Sequence, residues 1–456
     1  MKRTALHSRA LPSVGFVSLG CPKNRVDSQI MAGALVAQGI PLAPAPEAAD
    51  VIVVNTCAFV EDARREALDA ILAACDRKKS GPCRAVLVAG CLPQRYRRQL
   101  ARSLPDVDGF LGLDELNRIA SVVRRLGRGE RGVYAVSGRA TRLFEPHRPG
   151  VILTGGAYAY LRVAEGCNHG CSFCAIPGIR GRLRSRPLRH VRREAESLLE
   201  RGVRELDLIA QDVTAYGRDR RDGSSLPALL RELGRIGGRF WIRLLYAYPT
   251  SIGDELLETM ASVPQVCRYL DVPVQHSAPP ILRAMRRADT IPAVAGVAAR
   301  ARRIMPDIAL RTTCLVGFPG ETEESFEHLL DYARRTQFDH LGVFVFSPEE
   351  GTPAARLPHR PGARAAERRR DRLLRAQRRI VNRKAAARVG TETDVLVDRP
   401  AAQPRGIAVC RSQREAPEID GVVLVRGLPL DTPAGAFVRV RVAAVRGYDM
   451  EAERVP

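Results

Sequence analysis

Two hydrophobic patterns alternate along the first third of the chain. Residues 14–19, 51–54 and 85–89 are short, continuous runs rich in valine and leucine, as expected of strands buried on both faces. Beside them, residues 27–38, stopped by Gly39, and 61–79, with Leu68, Ile71, Leu72 and Cys75, carry helical spacing. This alternation predicts an α/β module on a parallel sheet over residues 1–145, with the polar, Gly- and Arg-rich stretch 127–156 reading as connector. The alternation resumes with six candidate strands at 160–164, 205–210, 241–246, 269–274, 310–317 and 341–346. Six strand–helix units over residues 153–386 predict a (β/α) barrel or partial barrel, where ligands gather beyond the strand C-termini. After Gly390 the helical period is gone. Runs at 391–397, 407–410, 422–425 and 437–445 lie between Pro/Gly turns and predict a small β-barrel over 389–456. The predicted fold class is α/β in three modules.

Composition supports that division. A chain of 456 residues exceeds one ordinary domain of ~100–200 residues, and 45% apolar content excludes a disordered chain. No run reaches the roughly 18 apolar residues of a membrane span. Lys2 and Arg3 precede an apolar run ending at Cys21, but Pro12, Ser13, Lys23 and Arg25 argue against a secretion signal. Eleven cysteines in this length do not resemble a secreted disulfide framework, and point to a reducing, cytoplasmic setting with metal-ligating thiolates. The net charge of +22 is uneven: residues 356–388 hold thirteen basic residues against Glu367 and Asp371. Leu373, Leu374, Ile380 and Val381 there predict a helix with one packed stripe and an arginine-coated exterior, either a solvated face or a phosphate-binding surface.

Cys167, Cys171 and Cys174 form C-x-x-x-C-x-x-C soon after the first barrel strand. Three thiolates on one tight loop suit three corners of a cubane iron–sulfur cluster, with one iron left open for a small molecule. Zinc normally takes four ligands, no second knuckle is present, and His169 lies too close within the loop to serve easily. Cys21, Cys57 and Cys91 each lie just beyond a predicted parallel strand, so one sheet edge gathers them into a second three-thiolate site. Cys75, Cys83, Cys267, Cys314 and Cys410 read as core thiols. Gln211, His276 and the Gly317-Phe-Pro-Gly-Glu321 loop end barrel strands, where a structural role and a ligand contact are both open. Arg180, Arg182, Arg184 and Arg186 alternate along what reads as one extended stretch.

The C-x-x-x-C-x-Phe-C motif resembles the radical S-adenosylmethionine enzymes. Ser18-Leu-Gly-Cys-Pro-Lys-Asn24, Val26-Asp-Ser28, Ile179-Arg-Gly-Arg182, Ser185-Arg-Pro187 and Gly317-Phe-Pro-Gly-Glu-Thr322 extend the resemblance to the methylthiotransferases over nearly the whole chain; Gln29 departs from it, standing where an acid is usual. The resemblance implies two [4Fe–4S] clusters, on Cys167/Cys171/Cys174 and on Cys21/Cys57/Cys91, and a C-terminal TRAM domain. S-adenosylmethionine would be used twice, as methyl donor and as radical source, with Gln211, Val316 and Gly317 as candidate contacts. Electrons would come from a reductase, flavodoxin or ferredoxin. Ala210-Gln-Asp212, Asp271-Val-Pro-Val-Gln-His276, Ser347-Pro-Glu-Glu-Gly351 and Ala416-Pro-Glu-Ile-Asp-Gly421 are similar to the branch that modifies an aspartate of small-subunit ribosomal protein twelve, the alternative being a tRNA adenosine. Residues 389–456 carry ten acids against nine bases, a poor balance for gripping tRNA. Glu415, Glu418 and Asp420 are therefore expected to dock a basic protein loop.

Overall fold

The computed structural model describes residues 11–145, 151–402 and 406–455, so Lys2, Arg3 and Arg405 lie outside the described residues. The chain divides into two compact units: the described part of Met1–Leu153 with Ala175–Arg182, and Thr154–Cys174 with Leu183–Pro456. Segment 175–182 thus belongs with the first unit although its sequence neighbours lie in the second.

In the first unit β1 (Val14–Ser18), β2 (Val51–Thr56), β3 (Ala85–Gly90), β4 (Gly109–Leu111) and β5 (Val133–Ala135) form one parallel sheet in chain order. β2 and β3 are buried at every position, which explains their apolar runs 51–54 and 85–89; the buried Asn55 and Thr56 end β2. Helices α1 (Pro22–Val36), α2 (Glu61–Ser80) and α3 (Cys91–Ser103) follow the first three strands. β5 falls inside the stretch read as connector; Val-Tyr-Ala is too short to show a period, and pairing with β4 alone makes it a strand.

All six barrel strands expected from the sequence form. β6 (Tyr158–Arg162) is followed by the short antiparallel pair β7 (Ala164–Glu165) and β8 (Arg184–Ser185). Next come β9 (Glu205–Ile209), β10 (Trp241–Leu244), β11 (Val266–Asp271), β12 (Ala309–Val316) and β13 (His340–Val345), all parallel and in chain order with β6. The sheet is an open partial barrel.

The C-terminal strands β14 (Glu392–Ala402), β15 (Ile407–Arg411), β16 (Val423–Arg426), β17 (Phe437–Arg446) and β18 (Asp449–Arg454) close a barrel. β18 was not expected, because Asp-Met-Glu-Ala-Glu-Arg looks like a polar turn; Met450 and Ala452 are its inward residues. This barrel shares one compact unit with the partial barrel through a buried ionic network. Arg411 reaches Glu205 at 2.6 Å, and Arg243 reaches the same carboxylate at 2.5 Å. Burial opposes ionisation of Glu205, but the two guanidinium groups hold its carboxyl below the usual range.

The acids expected to dock a partner are spent inside this junction. Glu415 is buried and accepts from Ser412 and from Arg388 at 3.1 Å. Asp420 accepts from Tyr269 and Arg311, both at 2.7 Å. Glu418 accepts from the Tyr158 and Tyr160 hydroxyls at 2.9 and 3.0 Å. Sequence spacing cannot distinguish an acid aimed at solvent from one aimed at a neighbouring module; here the Glu415 and Asp420 side chains are buried, and Glu418, though exposed, is engaged by two tyrosines. Asp420→Ala should leave Arg311 with only Asp271, at 3.6 Å, and Tyr269 without its acceptor, and cost about 1–3 kcal/mol, seen as a lower melting temperature of the full chain.

Candidate active site

The sheet register of the first unit brings its cysteines together. Ser18, Asn55 and Ala89 stand in one row across β1, β2 and β3. Cys21, Cys57 and Cys91 follow that row by three, two and two residues, so all three emerge at the carboxyl edge. Two glycines allow the close approach. Gly20 and Gly90 both have positive φ, at 84° and 93°. A Cβ on Gly20 would lie 2.7 Å from the Cys57 Cβ, and one on Gly90 would lie 2.3 Å from Asn55 Oδ1. Gly20→Val should therefore displace Cys57, cost about 1–3 kcal/mol by overpacking, and lower the iron bound to the first unit.

Polar residues of the first motif hold this edge. Asn24 Nδ2 donates to the carbonyls of Leu19 at 3.1 Å and Thr56 at 2.9 Å. Asn55 Nδ2 donates to the Asn24 carbonyl at 2.7 Å and to Ser28 Oγ at 2.8 Å. Arg180 closes the cluster from segment 175–182. It ends the short helix Ile176–Arg180, so the four arginines do not form one extended stretch. Its Nη2 donates to Asn24 Oδ1 at 2.6 Å, Asp27 Oδ2 at 2.8 Å and Cys91 Sγ at 3.3 Å, with the side chain 2% exposed. Burial pushes the Cys91 thiol up to about 12; Arg180 opposes this, while Cys57 and Cys21 add to it. Burial and Cys21 likewise raise Cys57. The thiols feel one another, as a shared ligand set would. Gln29 is buried in α1.

In the second unit, Cys167, Cys171 and Cys174 occupy the loop after β7. The loop is clamped by Ser172, whose N–H donates to the Met285 carbonyl at 3.0 Å and whose hydroxyl donates to the Ala284 carbonyl at 2.7 Å. His169 is not directed at a metal: Nε2 lies 2.7 Å from Asp212 Oδ2, and the ring stacks on Tyr248 at 3.7 Å. Arg287 lies over the same Tyr248 ring at 4.4 Å and donates to Cys171 Sγ at 3.7 Å. Burial pushes Cys167 up to about 11. Tyr248 and Arg287 were not singled out in the sequence, and Asp212 only as part of Ala210-Gln-Asp212, since a stack assembled from three separate loops leaves no spacing to read. All eleven cysteines are free of disulfides. Among the described residues no three His, Cys, Asp or Glu side chains are grouped to hold a single metal ion.

The remaining candidates behave differently from one another. Gln211 Nε2 donates to Glu165 Oε1 at 2.5 Å, which leaves Oε1 buried with no partner. An acceptor in that state fits a ligand donor such as an ammonium group. Val316 is fully buried, and its carbonyl already accepts from Phe346 at 2.8 Å. The Gly317 N–H donates to Glu321, itself held by Arg369 at 3.0 Å, and a Cβ on Gly317 would strike Ala366 at 2.6 Å. Packing accounts for that glycine. His276 is buried 3.4 Å from Glu321, and burial lowers its pKa.

Comparison with known proteins places this geometry. Residues 13–112 match an uncharacterized family designated UPF0004, residues 161–333 the radical SAM superfamily and residues 389–455 the TRAM domain. The ribosomal protein uS12 methylthiotransferase RimO of Syntrophus aciditrophicus is 44% identical, over 97% of this chain and 98% of its own. That of Geobacter sulfurreducens is also 44% identical, over 98% and 99%. The chain belongs to the RimO methylthiotransferase family. Among solved structures, the radical S-adenosylmethionine methyltransferase TsrM from Kitasatospora setae aligns with a TM-score of 0.53 at 15% identity, over 75% of this chain and 74% of that one, a likeness of fold. The RimO relatives span the full set of modules found here. No described helix is long and apolar enough to cross a membrane.

Proposed function

We infer that this protein is a radical S-adenosylmethionine methylthiotransferase that replaces a hydrogen on the β-carbon of an aspartate in ribosomal protein uS12 with a methylthio group. The observation that carries the reading is the pair of separate three-cysteine sites, one beyond the carboxyl ends of β1, β2 and β3 and one on the loop after β7, in a chain similar to RimO over 97% of its length. Cys21, Cys57 and Cys91 would hold one [4Fe–4S] cluster and Cys167, Cys171 and Cys174 the other. When bound, these groups and S-adenosylmethionine supply one-electron cleavage of a sulfonium and delivery of sulfur with a methyl group.

The chain's own residues prepare both sites. Arg180 and Arg287 each place a guanidinium against a ligating sulfur and so oppose the cost of burying thiolates. Asp212 and Tyr248 fix His169 and with it the backbone between Cys167 and Cys171. Gln211, held by Glu165, offers its free acceptor to the amino group of S-adenosylmethionine. Val316 and Gly317 would support the nucleotide site from behind, since the Val316 carbonyl and the Gly317 N–H are already taken by Phe346 and Glu321. We place module boundaries at 1–145, 153–386 and 389–456, the reaction in the cytoplasm, and the electron source in a flavodoxin, ferredoxin or reductase. The tRNA reading is not favoured, as the relatives named above are uS12 enzymes. Anaerobic reconstitution with a reductant tests the reading: 5′-deoxyadenosine should form in proportion to iron, and its absence from fully loaded protein would refute it.

A further inference from the structure

The helix Ala363–Ala386 packs Ala366, Arg369, Leu373, Gln377, Ile380, Val381 and Ala385 inward. Leu374, expected in that stripe, is 39% exposed. Five of its ten cations are held within the chain, Arg383 by a hydrogen bond to Gln337 Oε1 at 3.0 Å. Arg369 binds Glu321, Arg370 binds Asp371, Arg372 binds Glu323 and Glu327, and Lys384 binds Asp339. Arg378 and four others are not so held, and those four, Arg364, Arg368, Arg375 and Arg379, lie on one side. All four are exposed, and none has a hydrogen bond or ion pair among the described residues. At 3.6 residues per turn they fall within a sector of about 60°, on a stripe about 22 Å long. Asp371 lies on this side but is neutralised by Arg370; Glu367 lies at its flank.

We propose that this stripe binds ribosomal RNA, so that uS12 is recognised on an RNA-containing small-subunit particle rather than as a free basic protein. The inference rests on the uS12 reading above. Arginine as a residue type decides nothing, since the chain uses it for nearly every cation. Two placements decide it. The acids that would attract a basic protein, Glu415, Glu418 and Asp420, are satisfied within the chain. The free charge outside is cationic and linear, which complements a phosphate backbone and repels a basic polypeptide. A chain at +22 gains on-rate toward a particle coated with phosphate and loses it toward free uS12.

The test compares the full chain, with both clusters reconstituted, and a variant carrying Arg364→Gln, Arg368→Gln, Arg375→Gln and Arg379→Gln. Binding to purified small ribosomal subunits is measured by sedimentation across salt, and uS12 modification is followed in subunits and in free uS12. Four phosphate contacts should give the wild type a loss of affinity on the order of fiftyfold between 50 and 200 mM salt, at a slope of about −0.7 per contact, that the variant lacks. The variant should modify free uS12 at least as fast as the wild type, and uS12 in subunits more than tenfold more slowly at 50 mM salt, with the gap narrowing towards 200 mM. Equal subunit binding by both proteins would overturn the inference. So would a variant defect confined to free uS12, which would assign the stripe to a protein partner. If the wild type modifies neither form, the uS12 reading fails, while sedimentation still decides the RNA contact.

Discussion

Replacing Cys21, Cys57 and Cys91 together by alanine is expected to halve the iron of the reconstituted protein, from about eight to about four atoms per chain, at four per three-thiolate cubane. Sulfur insertion should end, while 5′-deoxyadenosine formation stays measurable. The separation follows from placement: these thiols stand at the carboxyl edge of the first sheet, and Cys167, Cys171 and Cys174 on a loop beyond β7 of the other unit. The converse triple alanine at Cys167, Cys171 and Cys174 should abolish deoxyadenosine formation and also leave about four irons. Iron counts by chemical assay, with chromatography of the nucleoside product, read both effects. Loss of S-adenosylmethionine cleavage in both variants, with circular dichroism unchanged, would contradict the division.

The second large effect belongs to Arg180. Arg180→Met should remove the guanidinium paired with the buried Asp27 carboxylate and cost about 3–5 kcal/mol, the usual penalty for breaking such a pair from one side. The melting temperature of the first unit should fall, and iron bound there should fall with it, because the same Nη2 serves Asn24 and Cys91. Arg180→Lys should recover part of the stability by restoring charge, but less of the iron, since an ammonium cannot reproduce the planar, multi-partner geometry. Iron on Cys167, Cys171 and Cys174 should be unaffected in both. If Arg180→Met melts like the wild type and holds the full complement of iron, the buried role assigned to this guanidinium is wrong.

What the sequence disclosed, and what it did not, follows from how far each signal reaches along the chain. Strands buried on both faces, such as β2 and β3, announce themselves in four or five consecutive apolar residues, and the six partial-barrel strands were legible as shorter or interrupted apolar runs between helical stretches. β5 and β18 were not: three residues are too few for a period, and alternate acids hide the two inward positions of β18. The cysteines were readable because each stands beside a strand end, a local feature. Arg180 was visible as one of four alternating arginines, yet its place beside Cys91 depends on segment 175–182 belonging with the first sheet, which no local pattern encodes. The same limit misled the reading of Glu415, Glu418 and Asp420. As sequence they are acids in a module of balanced charge; as structure they bind Arg388, Tyr158, Tyr160, Tyr269 and Arg311. The stack of His169 on Tyr248, flanked by Asp212 and Arg287, likewise joins residues more than a hundred positions apart.

The central claim is the chemistry on uS12, and one measurement addresses it directly. Reconstituted protein, S-adenosylmethionine and a reductant are incubated with small ribosomal subunits and with tRNA, and both are digested for mass spectrometry. The account predicts a gain of about 46 mass units on a single aspartate of uS12, the replacement of H by SCH3, with tRNA unchanged. An unmodified uS12 together with a methylthio group on tRNA adenosine would contradict it.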